Sequence, residues 1–558
     1  MLLDNESVKK SINDVLQHYE EGWDIFSNAK SWEHPVTKKP SAEGVDGLPD
    51  TWLDLAEKVI GIIAKEKYDL DCYDNVIEVI SSDDMLDNYA SNGLPINYEH
   101  WSFGLKREKL EKDFKAGRMG LAYEIVINTD PVIAYNMDSN SPLMQLLVIA
   151  HASFGHNSFF KGNHMFKEHT QANSIMDDLR EMRDYIHKCE AKYGFKEVEL
   201  LLDSCHALMS HGVNTHKHTS KKNKSEKSKD EQVKAPEKYA DEFDSKIFDG
   251  IRVKKEFEEA QEVDPKAPVK IDREENLLVF IAENAPELPE WKGTIMKMIA
   301  RQSQYFYPQI QTQVMNEGWA SFWHYTLMHD MADLGLVNDG MILELEHSHS
   351  SVLMQPDYDS PYFNGRFNPY ALGFAIFTDI KRMCENPTKE DELCFPYLAG
   401  KGDWLSVFKD TMEDFRDESF IEQFLSPKVM RDFNMFSVRD DAKDDYQEVT
   451  AIHEKRGFER VKRMLSSEYR TENMRPVIEI CEYNKSTDRA LFLEHIMYNE
   501  RPLEEENMKG VLKHMHSLWG HPVVIDSVNV EDGVIHSSMS SPESYIEGDN
   551  YEMKFGMG

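Results

Sequence analysis

Apolar positions along most of this chain recur at helical spacing. Residues 8–26 and 53–67 repeat them every three or four positions, which predicts two amphipathic helices separated by a Pro/Gly-containing loop at 35–49. Residues 97–104, Asn-Tyr-Glu-His-Trp-Ser-Phe-Gly, read as an aromatic loop, and the β-branched run 121–128 predicts a short strand closed by a turn at 128–131. Ser141-Pro142 supplies an N-cap and first-turn pair for an apolar helix that runs to His151. Helices follow at 174–193 and 196–211. From His211 to about Asp264 the chain turns to Lys, Ser, Glu and Asp, which predicts a solvated linker. Residues 291–334 then read as a long helical stretch that Pro308 kinks or ends. A Pro/Tyr/Asn-rich loop at 355–370 is too aromatic to be mere solvent filler; it leads to a helix at 371–385, and 404–436 reads as two more. In the tail, 477–483 and 489–496 alternate as a hairpin around 484–488, and a helix at 506–518, a turn at Gly520 and a strand at 523–528 follow.

These elements predict a mainly α large domain followed by a small C-terminal α+β domain. Residues 1–211 form its helical N-terminal part, 212–265 a charged flexible linker, 266–438 the helical continuation, 439–535 the α+β domain and 536–558 a disordered tail. A chain of 558 residues is too long for one core, so more than one domain is required. Charge narrows the function: 63 Lys and Arg against 100 Asp and Glu leave a net −37, which repels nucleic acid and anionic membrane. The six cysteines form no Cys-x-x-Cys pair, so reduced thiols in a cytoplasmic protein are expected. Neither a signal peptide nor an apolar run of about 18 residues stands in the sequence, so no membrane span is expected.

Candidate chemistry gathers around Glu317, a carboxylate set among the apolar and aromatic residues of 311–325. A buried carboxylate is costly unless it is paired or bound to a cation. On a helix Glu317 and His324, at i and i+7, stand within about 20° of each other. His151 and His156 offer imidazoles in a second apolar segment. This order is similar to that of zincin-type hydrolases, in which two histidines one turn apart flank a general-base Glu and a later helix supplies a third ligand. A zincin-like helical core with a divalent metal, zinc, is therefore expected, with His151, His156 and Glu317 as ligands and His206 and His324 as further ligand candidates.

Two departures qualify this. His151 and His156 are five apart, about 140° on a regular α-helix, so both face one ion only if Gly155 breaks or bulges the helix. Ala152 follows the first histidine, so the base must come from elsewhere; Glu124, Asp203 and Glu344 each sit in an apolar context that raises a carboxyl pKa. Glu199, Asp203 and His206 share one helical face. If 343–353 is helical, at most one of His347 and His349 points into a site; if it is extended, they share a face. His211, His216 and His218 lie in the polar linker and are read as exposed. No Gly-rich phosphate loop and no Gly-x-Ser-x-Gly is present. Cys205 beside His206 reads as a buried thiol, since adjacent helical residues point about 100° apart.

The segments Tyr123-Glu124-Ile-Val-Ile-Asn128, 151–161, 302–325 with its central Asn316-Glu317-Gly318-Trp319, Asn368-Pro369-Tyr370-Ala-Leu-Gly373-Phe and 417–430 resemble the stage V sporulation protein R (SpoVR) family. The resemblance runs over nearly the whole chain except the linker and the extreme C-terminus. It implies a cytosolic bacterial protein, linked in spore formers to assembly of the peptidoglycan cortex. In other bacteria it implies a gene neighbour of a PrkA-type kinase-like AAA+ protein and a von Willebrand-A-like partner. The family carries no assigned reaction. Two readings stand: a metal-dependent hydrolase acting on a peptide or cell-wall-related bond, and a non-catalytic scaffold or regulatory partner of the kinase-like protein.

Overall fold

The computed structural model describes residues 5–541 apart from 34, 43, 92, 117–123, 216–268, 357–359, 361–366, 436, 440–447, 452–454, 484–488, 499–500 and 530–532. The protein is mainly helical, with a small sheet region toward the C-terminus. It divides into two units, Met1–Val213 with Pro289–Val477 and Asn214–Leu288 with Ile478–Gly558. Most of the 212–265 linker, with His216 and His218, lies outside the described residues, as do the turn at 484–488 and the tail from 542.

The larger unit is built around the helix Gln313–Asp333, whose buried residues lie on every side of it. A helix apolar all round belongs in the centre of a protein. Trp319 and Trp323 are fully buried there, and edge-to-face pairs run from Trp319 to Phe377 and from Phe322 to Phe408, with centroids 5.5 and 4.7 Å apart. Each such pair adds about 0.5–1.5 kcal/mol beyond its burial.

Pro308 does not end the preceding helix. It lies inside Glu290–Gln311, and the break comes at Thr312, whose hydroxyl donates to the Pro308 carbonyl at 2.7 Å. The new helix then starts under a cap from elsewhere: the buried Asp417 carboxylate accepts from the N–H groups of Val314 and Met315 at 2.9 and 2.8 Å. Asp417→Ala strips these donors of their acceptor. It is expected to destabilise the fold by about 2 kcal/mol, the upper end for a lost cap; a urea midpoint equal to wild type would contradict this.

Two close approaches fix what lies against the central helix. A Cβ on Gly373, in the helix Pro369–Glu385, would stand 2.1 Å from the Val314 carbonyl oxygen, and one on Gly318 would stand 2.3 Å from the Gly373 carbonyl carbon. On another side a Cβ on Gly155 would stand 2.6 Å from the Ala320 Cα. Only glycine lets these backbones meet.

A three-stranded sheet completes the surroundings, with Val132–Met137 in its middle, parallel to Asn75–Ile80 and antiparallel to Glu124–Ile127. Only the last of these three was expected from sequence. Residues 97–104 are not wholly a loop, since His100 caps a helix, Trp101–Lys115.

In the smaller unit five strands lie in the order Ile535–Ser540, Val523–Asn529, Leu491–Met497, Val477–Tyr483, Val269–Glu274. Leu491–Met497 and Val523–Asn529 run parallel, joined across the helix Glu505–Trp519 that Gly520 ends at φ +81°. A parallel pair needs such a crossover. Two expected boundaries shift. Residues 269–288, read as part of the helical continuation, belong to the smaller unit, because Val269–Glu274 pairs antiparallel with Val477–Tyr483. The tail read as disordered from 536 begins instead with an edge strand, Ile535–Ser540, paired to Val523–Asn529. Among the described residues no helix is long and apolar enough to cross a membrane.

Candidate metal centre

The helix opened by Ser141, whose hydroxyl accepts from Met144 N–H, widens after Val148 into a π-helical stretch, Ile149–His156. In this geometry hydrogen bonds close between residues five apart, so such residues stand nearly above one another. His151 and His156 therefore face the same way, and their ring centroids are 4.6 Å apart. Gly155 lets the widened turn lie against the central helix, which presents Glu317 to both rings.

His151 Nε2 is 3.8 Å and His156 Nε2 3.5 Å from Glu317 Oε2. Ligand atoms at ~2.0–2.2 Å from one zinc ion in a tetrahedral arrangement stand roughly 3.3–3.6 Å from each other. Among the described residues these three are the group of His, Cys, Asp and Glu whose donor atoms all lie within 4.8 Å of one another. Glu317 Oε2 is buried and accepts no hydrogen bond. A buried carboxylate oxygen without a donor calls for an explanation, and a cation between the two imidazoles supplies one.

Neighbours orient each ligand. Asn316 Oδ1 lies 2.9 Å from His156 Nδ1. An amide oxygen only accepts, so the His156 proton is on Nδ1 and Nε2 is bare toward Glu317. The motif Asn316-Glu317-Gly318-Trp319 is thus legible residue by residue: Asn316 orients His156, Glu317 faces the histidines, Gly318 admits the neighbouring helix, and Trp319 fills the core while its Nε1 donates to Ser158 at 2.9 Å. Tyr370, whose backbone N–H donates to the cap Asn368, stands beside Glu317, whose charge together with burial raises its hydroxyl well above the usual range, and its ring stacks on His151 with centroids 6.3 Å apart. Sequence reasoning missed Tyr370 as a site residue; its signal was the Asn-Pro pair that opens a helix directly before it.

Glu124 reaches the centre from the strand Glu124–Ile127, its Oε1 3.8 Å from His151 Nε2. Burial, with a smaller contribution from Glu317, raises its carboxyl above the usual range, although His151 pulls the other way. Burial also pushes Glu317 up, but His156, His151 and Tyr370 outweigh it and hold that group low and ionised. Burial drives His156 down to about 4 and leaves it neutral. His151, which burial alone would lower, is instead raised by Glu317 and Glu124.

Four candidate residues, His324, His206, Asp203 and Glu344, stand elsewhere. His324 is not a ligand: it lies behind His151, its Nδ1 2.9 Å from His151 Nδ1 and its Nε2 2.8 Å from His349 Nδ1, so both ring nitrogens are engaged. A shared helical face with Glu317 put it near the ligands, but seven residues also carry it about 10 Å along the axis. His206 and Asp203 do share a face with Glu199, yet that face meets residues 98–101. Asp203 Oδ1 accepts from Trp101 Nε1 at 2.7 Å and lies 3.2 Å from His100 Nε2, while the Tyr98 hydroxyl pairs with His206 Nε2. Asp203 is thus no base for this centre, nor His206 a ligand. Glu344 is exposed and accepts from Ser141 Oγ at 2.6 Å. The segment holding His347 and His349 is helical, and only His349 points inward. Cys205 is a buried thiol, pushed up to about 12 by that burial.

The family description "SpoVR like protein" matches residues 51–474, and "SpoVR-like C-terminal domain" matches 476–530. The Escherichia coli (strain K12) protein described as "Uncharacterized protein YcgB" is 48% identical over 490 residues, which cover 87% of this chain and 94% of that one. No solved structure matches the chain.

Proposed function

For a chain that belongs to the SpoVR-like family, with its whole candidate centre inside the matched span, we propose a cytoplasmic metal-dependent hydrolase acting on a peptide or cell-wall-related bond. His151, His156 and Glu317 hold one divalent cation, with zinc the best fit to a mixed imidazole and carboxylate set. The observation that carries this is the buried, donorless Glu317 Oε2 set against two imidazole nitrogens. The arrangement is similar to the zincin ligand order but reaches it differently, through a π-helical pair spaced by five and a base brought by a strand.

Bound zinc supplies an acidified water and a Lewis acid. Glu124, beside His151 and with its carboxyl raised, takes up the proton as general base. Tyr370 offers a hydroxyl donor at the same place for charge that develops on the substrate oxygen.

Wild type is expected to carry about one metal ion per chain, and Glu124→Gln to keep it, because Glu124 lies outside the ligand group. Incubated with a panel of peptides and muropeptides and followed by mass spectrometry, the zinc-loaded Glu124→Gln protein is expected to cleave about 10²–10⁴-fold more slowly than wild type. Metal-free wild-type protein would refute the centre, and equal cleavage by both proteins would remove Glu124 from its role.

A second reading, a non-catalytic scaffold that docks a PrkA-type kinase-like protein or a von Willebrand-A-like partner, is favoured by one observation. Trp101 and Leu105 stand four apart on one helix, 57% and 59% exposed. A pull-down of the kinase-like protein that survives His151→Ala and His156→Ala, in cells where both variants complement a deletion, would favour it over the enzyme.

A further inference from the structure

We infer that His324 and His349 are positioning residues that hold the His151 ring with Nε2 bare and aimed at the metal position; this rests on the metal reading above. Three imidazoles stand in line, contacting through Nδ1 to Nδ1 at 2.9 Å and then Nε2 to Nδ1 at 2.8 Å, and all three are at most 5% exposed.

The two hydrogen bonds are coupled. A neutral imidazole carries one proton, so it donates from one nitrogen and accepts at the other. His324 has both nitrogens in contact, so the two bonds must run in the same sense. With metal on His151 Nε2, its proton sits on Nδ1 and donates to His324 Nδ1. The His324 proton is then on Nε2 and donates to His349 Nδ1. Loss of the acceptor at His349 frees His324 to carry its proton on Nδ1 instead, where it would face the His151 Nδ1 proton head on. His349 thereby selects the tautomer of His324, which in turn selects that of His151. This is the role that outer partners of metal-bound histidines commonly play.

His349 is itself braced. It comes from the helix Asp339–Val352, and its ring packs on Tyr325 at 4.6 Å and edge-on to Phe374 at 4.8 Å. Phe374 follows Gly373, so the contact that seats the neighbouring helix on the central one also seats this ring. The other ligating histidine reaches the same end with one residue, Asn316, whose amide oxygen can only accept. The His151 branch uses two.

The test compares wild type, His349→Leu and His349→Asn. Leucine removes the acceptor; asparagine places an amide oxygen where Nδ1 stood. Zinc affinity, read by competition with a chromophoric chelator, is expected to fall about 10- to 100-fold in His349→Leu and to be largely restored in His349→Asn. The cobalt-loaded protein is expected to show an altered absorption spectrum in the leucine variant only. A purely packing role predicts no such rescue, so equal affinities in all three proteins, or equal losses in both variants, overturn the inference and leave the metal centre standing. Wild type that binds no zinc overturns both. Should the leucine variant fail to fold, nitrogen NMR of histidine-labelled, zinc-loaded wild type decides: His324 protonated on Nε2 supports the inference, and protonated on Nδ1 overturns it.

Discussion

Glu317→Ala, purified beside the wild type, is expected to lose its metal. Zinc held by about four ligands is bound by roughly 10–16 kcal/mol, or about 3 kcal/mol for each, so one lost ligand weakens affinity by about two orders of magnitude. The effect is local, because the Glu317 side chain neither caps the helix nor makes its close approach to a neighbour; Asp417 and Gly318 do that at its N-terminal end. Glu317→Gln keeps the shape and one acceptor oxygen but not the charge, and is expected to fall between wild type and alanine. Elemental analysis per chain, with circular dichroism as the check on folding, measures this. Unchanged metal in the alanine variant would show that the carboxylate faces the histidines without ligating anything.

Gly373→Ala is expected to do wider damage. The added methyl would stand 2.1 Å from the Val314 carbonyl oxygen and collide with the Gly318 backbone, and neither obstacle is a side chain that can swing away. Overpacking of this kind costs about 3 kcal/mol or more. Because Gly318 follows Glu317 and Phe374 supports His349, separation of the two helices would also pull on both sides of the centre, so metal should be lost along with stability. Gly104→Ala supplies the contrast. Gly104 lies within the helix Trp101–Lys115 with nothing within 4 Å of an added Cβ, and alanine there is expected to stabilise by up to about 1 kcal/mol. Denaturant midpoints of the two variants should move in opposite directions; a shift of the same sign would break the argument that backbone contact, and not glycine as such, decides at 373.

Much of the helical framework was legible because it is written in local periodicity. Residues 53–67 read as one amphipathic segment and fold as the helix Trp52–Ile62 continued by a π-helical stretch, Ile63–Lys67. The strand Asn75–Ile80 was missed although Asn-Val-Ile-Glu-Val-Ile alternates, because its pairing partner, Val132–Met137, lies more than fifty residues later. Pro308 was read as a kink or an end of a helix, whereas the helix boundary falls at Thr312, for a related reason: Pro308 marks where a hydrogen bond is absent, but the cap that starts the next helix arrives from Asp417, about a hundred residues on. The strand Val269–Glu274 was assigned to the wrong unit because its partner follows it by some two hundred residues.

By itself the sequence determined which residue types could make a centre: two histidines in one apolar segment, Glu317 in another and Glu124 in a short strand. It also supplied the condition that Gly155 must let the helix widen, since five residues on an α-helix turn the second histidine away. What only the tertiary structure decided is which candidates converge. The π-helical turn meets that condition, Glu124 arrives through pairing with a strand the sequence reading did not see, and His206 with Asp203 folds toward His100 and Trp101 instead. His324 shares a face with Glu317 yet axial rise carries it behind His151, away from the metal position, and its partner His349 comes from a different helix. Local sequence sets the angle at which a side chain leaves its own helix; which other side chains lie in that direction is set by how helices and strands distant in the chain pack together.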